Sequence, residues 1–267
     1  MTDRVVYLNS ELFYYKDGAG SKAILLFHGF GQDHRVFESW NETLQKKYTV
    51  YAFDLFFHGS SKWENQQALA KRDWKKIMQL FFDQEKISQF EMAGFSIGAK
   101  FVLATFELFP ERVQKIILLA PDGISDNFWY SLATGTSMMR SLFRSLILKP
   151  VLLQSLLKIS KFFYLEDKNL LKFTEFQLST EEKRYRVYKA WIYFRHFNFR
   201  KRDITLSLNS RNIPVVFILG RMDNVIPAEK IKRFAKTLKN HQFKLVNSTH
   251  HDLISQGIKG LNETITL

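Results

Sequence analysis

Cysteine is missing from this chain of 267 residues, and proline occurs only five times. Without thiols the protein has neither disulfides nor thiolate metal ligands, so cysteine usage gives no information about its compartment. No uninterrupted apolar run in the sequence approaches the roughly 20 residues that a membrane-spanning helix needs. The first residues also lack the hydrophobic core of a secretory signal, so we expect a cytoplasmic location.

Acidic residues are scarce relative to basic ones, which gives the chain a net charge of +13. Such an excess is compatible with an anionic substrate, an acidic membrane surface or nucleic acid, although a lysine-rich, solvated surface is the ordinary explanation. No nucleic-acid recognition motif accompanies the charge, so we expect no nucleic-acid partner. The hydrophobic content of 46% is sufficient for one large core.

A serine lies between two glycines in the segment Gly94-Phe95-Ser96-Ile97-Gly98. The apolar pattern predicts a strand over 90–93 that enters this segment and a helix over 97–109 that leaves it. A tight strand-to-helix turn holds a hydroxyl group in an exposed, strained position, and glycines let the start of the helix pack closely. Because the five-residue pattern also arises by chance, the assignment of Ser96 as a nucleophile depends on its context.

An acid and two possible bases follow downstream, each just after a predicted strand. Asp223 follows the apolar run 213–219, and His250 and His251 follow the short strand predicted over 243–246. A neutral imidazole can accept the proton of a serine hydroxyl at neutral pH, and a carboxylate can hold that imidazole in the required tautomer. The sequence therefore carries the residue types of a serine, histidine and aspartate site.

Two further motifs accompany these residues. His28-Gly29-Phe30-Gly31 follows the apolar strand predicted over 23–27, and a second loop begins at Asp54 and runs Asp54-Leu55-Phe56-Phe57-His58-Gly59-Ser60-Ser61. With the chain order Ser, Asp, His, these motifs resemble those of the α/β-hydrolase superfamily, and the resemblance covers nearly the whole chain.

The resemblance implies a catalytic role for Ser96, Asp223 and one of the two histidines. His251 is preferred as the base, because the family typically has Gly-His at this site and His250 then stands in the position of the glycine. His250 is the alternative base. Asp122, on the loop after the strand predicted over 113–119, is the alternative acid, because some related enzymes carry the acid at that strand end.

The family also implies where the oxyanion is bound. The backbone N–H groups of Phe30 and Ile97 occupy the matching positions of the oxyanion hole. His28, Asp54 and His58 are expected to brace loops. Asp54 and His58 could suggest a metal pair, but two ligands without a third make a poor metal site. We expect no metal and no cofactor.

Two residues depart from the family pattern. Ala99 stands where a second glycine is common after the serine turn, and Phe57 replaces the glycine of the Asp54 loop. Alanine is favourable in a helix, so Ala99 changes little. Phe57 leaves the shape of its loop open and is a candidate for a pocket or loop-packing residue.

Alternating strands and helices predict the α/β class with a mostly parallel, doubly wound eight-stranded sheet flanked by helices and interrupted by a helical cap. The predicted core domain comprises 1–121 and 209–267, and the predicted cap comprises 122–208. Strand periodicity is absent from the cap, whose helices are predicted over 137–148, 151–163 and 181–194.

The cap is rich in cations and aromatic rings. Residues 126–203 contain fifteen Lys or Arg, seven Asp or Glu, and sixteen aromatic residues. Arg140 and Arg144 lie one helical turn apart in the predicted helix. We expect a largely apolar acyl substrate that carries or adjoins a negative charge. Contact of the basic cap with a membrane surface stays an open alternative.

These observations lead to one main hypothesis of function and two alternatives. The main hypothesis is a serine hydrolase of class EC 3.1 that cleaves a small or acyl-chain ester or thioester through an acyl-enzyme formed on Ser96. A carbon-carbon bond hydrolase or lyase on the same fold is one alternative. A non-catalytic binding protein that keeps the fold is the other.

Overall fold

The computed structural model describes residues 1–124, 128–149, 151 and 174–258. The chain divides into two compact units. The first comprises Met1–Gln66, Ala70–Ser125 and Phe197–Leu267, and the second comprises Gln67–Leu69 and Asp126–His196. The predicted cap, 122–208, is wider than the main segment of the second unit at both ends, and its boundaries stay a prediction.

One eight-stranded sheet forms the centre of the first unit, in the order β1-β2-β4-β3-β5-β6-β7-β8. The pairs β1–β2 and β2–β4 are antiparallel, and all the following neighbours are parallel. This confirms the predicted fold class. The strands are β1 (Thr2–Tyr7), β2 (Ser10–Asp17), β3 (Lys22–Phe27), β4 (Tyr48–Phe53), β5 (Phe90–Phe95), β6 (Val113–Leu119), β7 (Val215–Gly220) and β8 (His241–Val246).

Helices of the first unit flank the sheet. They are α1 (Glu38–Leu44), α2 (Lys71–Glu85), α3 (Gly98–Leu108), α7 (Lys201–Ser210) and α8 (Ala228–Ala235). The three helices numbered between α3 and α7 belong to the second unit. Every residue of β5 and of β7 is buried, as expected for central parallel strands that are covered on both faces. The core is strongly aromatic: Phe27 and Phe53 stack with ring centroids 5.1 Å apart.

The second unit contains the helices α4 (Phe128–Thr134), α5 (Ser137–Leu148) and α6 (Glu181–Tyr193). Thr136 and Thr180 begin α5 and α6 by accepting hydrogen bonds from the amides of Met139 and Lys183, as helix N-caps do. The helix predicted over 151–163 lies, apart from Val151, outside the described residues. No helix among the residues described has the length and hydropathy needed to cross a membrane.

The topology brings three of the predicted site residues to one edge of the sheet. Ser96 follows β5, Asp223 lies on the loop after β7, and His250 lies on the loop after β8. Because parallel strands end at the same edge, their carboxyl-terminal loops meet there. The fold therefore brings Ser96 together with two groups that each lie more than one hundred residues further along the chain.

Candidate active site

Ser96 lies in a strained turn between β5 and α3. Its φ of +51° is in the left-handed region, which non-glycine residues rarely adopt. Close packing forces this turn: a Cβ atom on Gly98 would overlap the carbonyl oxygen of Phe27 on the neighbouring strand. The Ser96 amide donates to the Leu119 carbonyl at 2.9 Å, which fixes the turn against β6. The sequence pattern thus predicts the conformation that the structure shows.

Ser96, His250 and Asp223 form a hydrogen-bonded chain. The Nε2 atom of His250 lies 3.2 Å from Ser96 Oγ, and its Nδ1 atom lies 2.7 Å from Asp223 Oδ2. A carboxylate only accepts hydrogen bonds, so the imidazole proton belongs on Nδ1 and leaves Nε2 to accept from the serine hydroxyl. His250 and Asp223 are buried, at 6% and 4% exposed, so water competes little for these bonds.

The loop after β7 holds the Asp223 carboxylate in place. Its second oxygen, Oδ1, accepts hydrogen bonds from the amides of Val225 and Ile226, each at 2.9 Å. Both oxygens therefore have partners, and the carboxylate cannot rotate without losing one of them. The Phe95 ring lies against the His250 ring, with centroids 4.9 Å apart, and limits the motion of the imidazole.

The structure reverses the expected order of the two histidines. His250, the alternative, makes the bonds to Ser96 and Asp223, whereas His251, the preferred base, is exposed with its ring centroid 6.5 Å from that of His250. Backbone pairing between the two loops explains the difference. The Met222 amide donates to the Ser248 carbonyl at 3.1 Å, and this bond fixes which residue of the loop after β8 lies beside Ser96. Consecutive side chains point in different directions, so this register presents only one of the two.

The amides predicted for the oxyanion hole have no acceptor in the part of the chain that the structure describes. Within the described part of the chain, neither the N–H of Phe30 nor that of Ile97 donates a hydrogen bond. The side chain of Gln32 accepts from the Gly29 amide at 3.0 Å and so fixes the loop that carries Phe30. Sequence reasoning did not identify Gln32, whose only signal is a polar residue directly after the His28-Gly29-Phe30-Gly31 motif.

His28 also braces the loop that carries Phe30. It is fully buried, its Nδ1 lies 2.7 Å from the Gly29 carbonyl, and its Nε2 accepts from the Leu55 amide at 2.9 Å. Each ring nitrogen therefore has one role, and the neutral tautomer fits both bonds. Burial lowers the pKa of His28 to about 4, so the ring is neutral at neutral pH.

Asp54 and His58 contact different partners in the second loop. Asp54 accepts from the amide and the Nδ1 of His34, at 2.9 and 2.8 Å, and from the Ser60 amide at 2.8 Å. His58 packs its ring edge-on against Phe30, with centroids 5.2 Å apart. Both arrangements brace loops.

Potential metal ligands meet near this loop. Asp33, His34 and Asp54 place one ligand atom each within 4.8 Å of one another. Asp54 and His34 bond each other, however, and Asp33 forms an ion pair with Arg35 at 2.6 Å. These pairings stabilise the loop without a metal, and we derive no metal site from them.

Phe57 and Asp122 are the remaining residues that the sequence suggests for the site. Phe57 has a φ of +68°, which explains why the family has glycine at this position. Asp122 does not contact the imidazole of His250 through any described hydrogen bond; its carboxylate pairs with Lys100 at 3.0 Å. The structure therefore separates the alternative acid from the hydrogen-bonded chain.

The sheet order and the strained serine turn at its edge are those of an α/β hydrolase. The family model for the alpha/beta hydrolase fold matches residues 22–257. The chain belongs to this family, and the predictions of the family and of a hydrolase enzyme are confirmed.

Similar proteins cover most of the chain. A pimeloyl-[acyl-carrier protein] methyl ester esterase of Legionella pneumophila is 25% identical over 238 residues, which are 88% of this chain and 90% of that protein. An uncharacterized hydrolase of Bacillus subtilis, YugF, is 23% identical and covers 89% of this chain and 87% of its own.

Solved structures give the same fold at lower identity. An esterase from Thermogutta terrifontis superposes with a TM-score of 0.73 at 15% identity and covers 100% of this chain and 98% of its own. An enol-lactonase from Burkholderia xenovorans superposes with a TM-score of 0.68 at 15% identity, with 99% and 100% covered. These similarities establish the architecture.

Proposed function

We propose that this protein is a serine esterase in which Ser96, His250 and Asp223 are the catalytic triad. The observation that carries the proposal is the hydrogen-bonded chain from Ser96 Oγ through His250 to Asp223. His250 Nε2 takes the hydroxyl proton as Oγ attacks the ester carbonyl carbon. Asp223 stabilises the imidazolium that forms and keeps it oriented.

The negative charge that develops on the carbonyl oxygen needs donors that already point at it. The amides of Phe30 and Ile97 have this role in the proposal, supported by their lack of a protein acceptor among the described residues. One such donor contributes about 3 kcal/mol to stabilisation of the transition state. The imidazolium of His250 then protonates the leaving alkoxide, and a water molecule hydrolyses the acyl-enzyme by the same route.

The substrate is an ester of an acyl chain that carries an anionic group. Four of the similar proteins carry the name pimeloyl-[acyl-carrier protein] methyl ester esterase, which favours an oxygen ester over a thioester. The second unit carries cations of the kind that bind an anionic group. Arg140 and Arg144 lie one turn apart on α5, and Arg140 is held by bonds to the carbonyls of Thr134 at 3.2 Å and Gly135 at 2.6 Å.

Two further basic side chains of the second unit, Arg195 and His196, lie close enough to Arg140 to be affected by its charge. Burial, followed by the charges of Arg195 and Arg140, lowers the pKa of the His196 imidazole. Burial and the charge of Arg140 likewise lower the pKa of Arg195. Cations that destabilise one another in this way gain from a bound anion, because it relieves their repulsion.

Covalent labelling tests the proposed chemistry. We expect a fluorophosphonate probe to label the wild type on Ser96, and p-nitrophenyl hexanoate to be hydrolysed. Ser96→Ala should lose both reactions, whereas the control Ser255→Ala, which removes an exposed serine outside the site, should retain both. An unlabelled wild type would contradict the proposal and favour the non-catalytic alternative. Turnover of acyl-CoA thioesters in place of oxygen esters would assign the protein as a thioesterase.

Two esters of equal chain length test the anionic group. Mono-p-nitrophenyl adipate has a terminal carboxylate that p-nitrophenyl hexanoate lacks. We expect the double variant Arg140→Gln, Arg144→Gln to lose about tenfold in kcat/KM on the adipate ester and less than twofold on the hexanoate ester. Arg186→Gln is the control, since Arg186 is already paired with Glu182 at 2.8 Å. Equal losses on the two esters would refute recognition of the charge.

A further inference from the structure

A lysine side chain is buried directly behind the nucleophile. Lys100 is the third residue of α3, four positions after Ser96, and is only 5% exposed. Burial disfavours a charged ammonium, and the positive end of the helix dipole disfavours a cation in the first helical turn. A lysine in this place needs a compensating anion close by.

Asp122 provides that anion. Its Oδ2 lies 3.0 Å from Lys100 Nζ, and its Oδ1 accepts from the amide of Gly123 at 2.7 Å. Gly123 has a φ of +92°, and a Cβ atom there would come within 3.0 Å of Lys100 Cγ. The loop after β6 is therefore shaped around the stem of the lysine as well as around its charge.

The same loop is bonded to the nucleophile residue. The Asp122 amide donates to the Ser96 carbonyl at 3.0 Å, and the Ser96 amide donates to the Leu119 carbonyl at 2.9 Å. Ala120, between these two contacts, has a φ of +38°, which is strained for a residue other than glycine. The Lys100–Asp122 ion pair thus joins the two segments, α3 and the loop after β6, that contact the backbone of Ser96.

We propose that Lys100 and Asp122 are a positioning pair of the esterase, which holds the Ser96 turn against the β6 loop and keeps the charge beside the nucleophile balanced. The proposal rests on the proposed function. In this proposal, neither the Lys100 nor the Asp122 side chain touches the substrate. The carboxylate bonded to the histidine is that of Asp223, whereas the carboxylate of Asp122 is paired with Lys100.

Removal of one partner leaves a single charge next to the site. The polar and titratable groups that contact the His250 ring include the Asp223 carboxylate and the Ser96 hydroxyl, and the His251 ring lies 6.5 Å away. A lone Asp122 carboxylate favours the imidazolium, whereas a lone Lys100 ammonium disfavours it. The two single variants leave charges of opposite sign, so their effects on the equilibrium between imidazole and imidazolium should also be opposite.

The test is an NMR titration of the His250 ring in full-length Lys100→Met, Asp122→Asn and the double variant, with His250→Gln used to assign the signal. We expect the midpoint to rise in Lys100→Met, to fall in Asp122→Asn, and to return close to the wild-type value in the double variant. Shifts in the same direction, or no shift in either single variant, would overturn the proposal.

Ester turnover of the same variants separates positioning from general stability. We expect kcat on p-nitrophenyl hexanoate to fall about tenfold in Lys100→Met with KM changed less than twofold, and to recover in part in Lys100→Arg. If Lys100→Met does not fold, the other two variants test the proposal. The midpoint should fall in Asp122→Asn and should match the wild-type value in the double variant. Inactivity of the wild type would refute the proposed function. The NMR midpoints would still test the proposed Lys100–Asp122 pair, because they do not require turnover.

Discussion

His28 makes stability depend on pH below neutrality. Folding lowers the pKa of this imidazole from 6.5 to about 4 because the ring is completely buried. Between these values the unfolded chain binds a proton that the folded chain does not, so the folded state loses stability as the pH falls from about 6.5 to about 4. The total contribution is about 3 kcal/mol, and above pH 7 the effect is absent.

Urea unfolding of the wild type and His28→Asn at several pH values measures this effect. We expect the stability difference between wild type and variant to shrink as the pH falls from about 6.5 to about 4. His34 acts in the opposite direction, because its hydrogen bond to Asp54 raises its pKa; its contribution is common to both proteins and cancels. A difference that is constant with pH would contradict a buried, neutral His28.

Individual site residues differ in how far the sequence predicts them. Ser96 and Asp223 are predictable because each has a local signal, a glycine-flanked turn or the end of an apolar strand. The choice between His250 and His251 is not, because adjacent residues share every local signal and differ only in the direction of their side chains. Pairing of the two loops through Met222 and Ser248 sets that direction, and such pairing appears only in three dimensions.

At the scale of the elements, the turn between β5 and α3 depends on the absence of a side chain at Gly98. We expect Gly98→Ala to destabilise the fold by several kcal/mol and to abolish labelling of Ser96, because the added Cβ overlaps backbone oxygen. Gly257→Ala is the control, since its Cβ would meet a Leu119 methyl group at 3.2 Å, which can move. Thermal unfolding of both variants measures the difference, and equal stability would contradict the account of the turn.

Helix α2 ends at Lys86 in the left-handed conformation, with a φ of +54°. Glycine adopts this conformation without strain, so Lys86→Gly should stabilise the protein by about 0.5 to 1 kcal/mol. Lys76→Gly, at an exposed position inside the same helix, should instead destabilise it by about 1 kcal/mol. Urea midpoints at neutral pH compare the two, and a loss of stability in Lys86→Gly would show that its side chain contributes contacts that outweigh the strain.

The predicted elements agree with the structure where hydrophobic periodicity is strong. The strand over 113–119 and the helix over 137–148 have the predicted ends, since each combines an apolar pattern with a clear boundary. The sequence pattern does not predict helices α7 and α8. Both are short and rich in charged residues, and their burial against the core is limited to a few side chains such as Ile204 and Ile231. Tertiary contacts rather than local pattern stabilise such helices.

At the scale of the whole molecule, the net charge of +13 should affect the rate of association with anionic substrates. We expect kcat/KM for mono-p-nitrophenyl adipate to fall severalfold between low salt and about 0.5 M salt, because screening shortens the range of attraction. The neutral hexanoate ester should change less than twofold. An equal response of both esters would assign the salt effect to the protein instead of to the substrate charge.

The proposed triad depends on which histidine activates Ser96. The most direct measurement is kcat for p-nitrophenyl hexanoate in His250→Gln and in His251→Gln, with folding of both checked by circular dichroism. Loss of the base typically costs several orders of magnitude. We predict such a loss for His250→Gln, whose imidazole bonds Ser96 and Asp223, and a change of less than about threefold for His251→Gln, whose side chain is exposed. The reverse result would contradict the proposed triad.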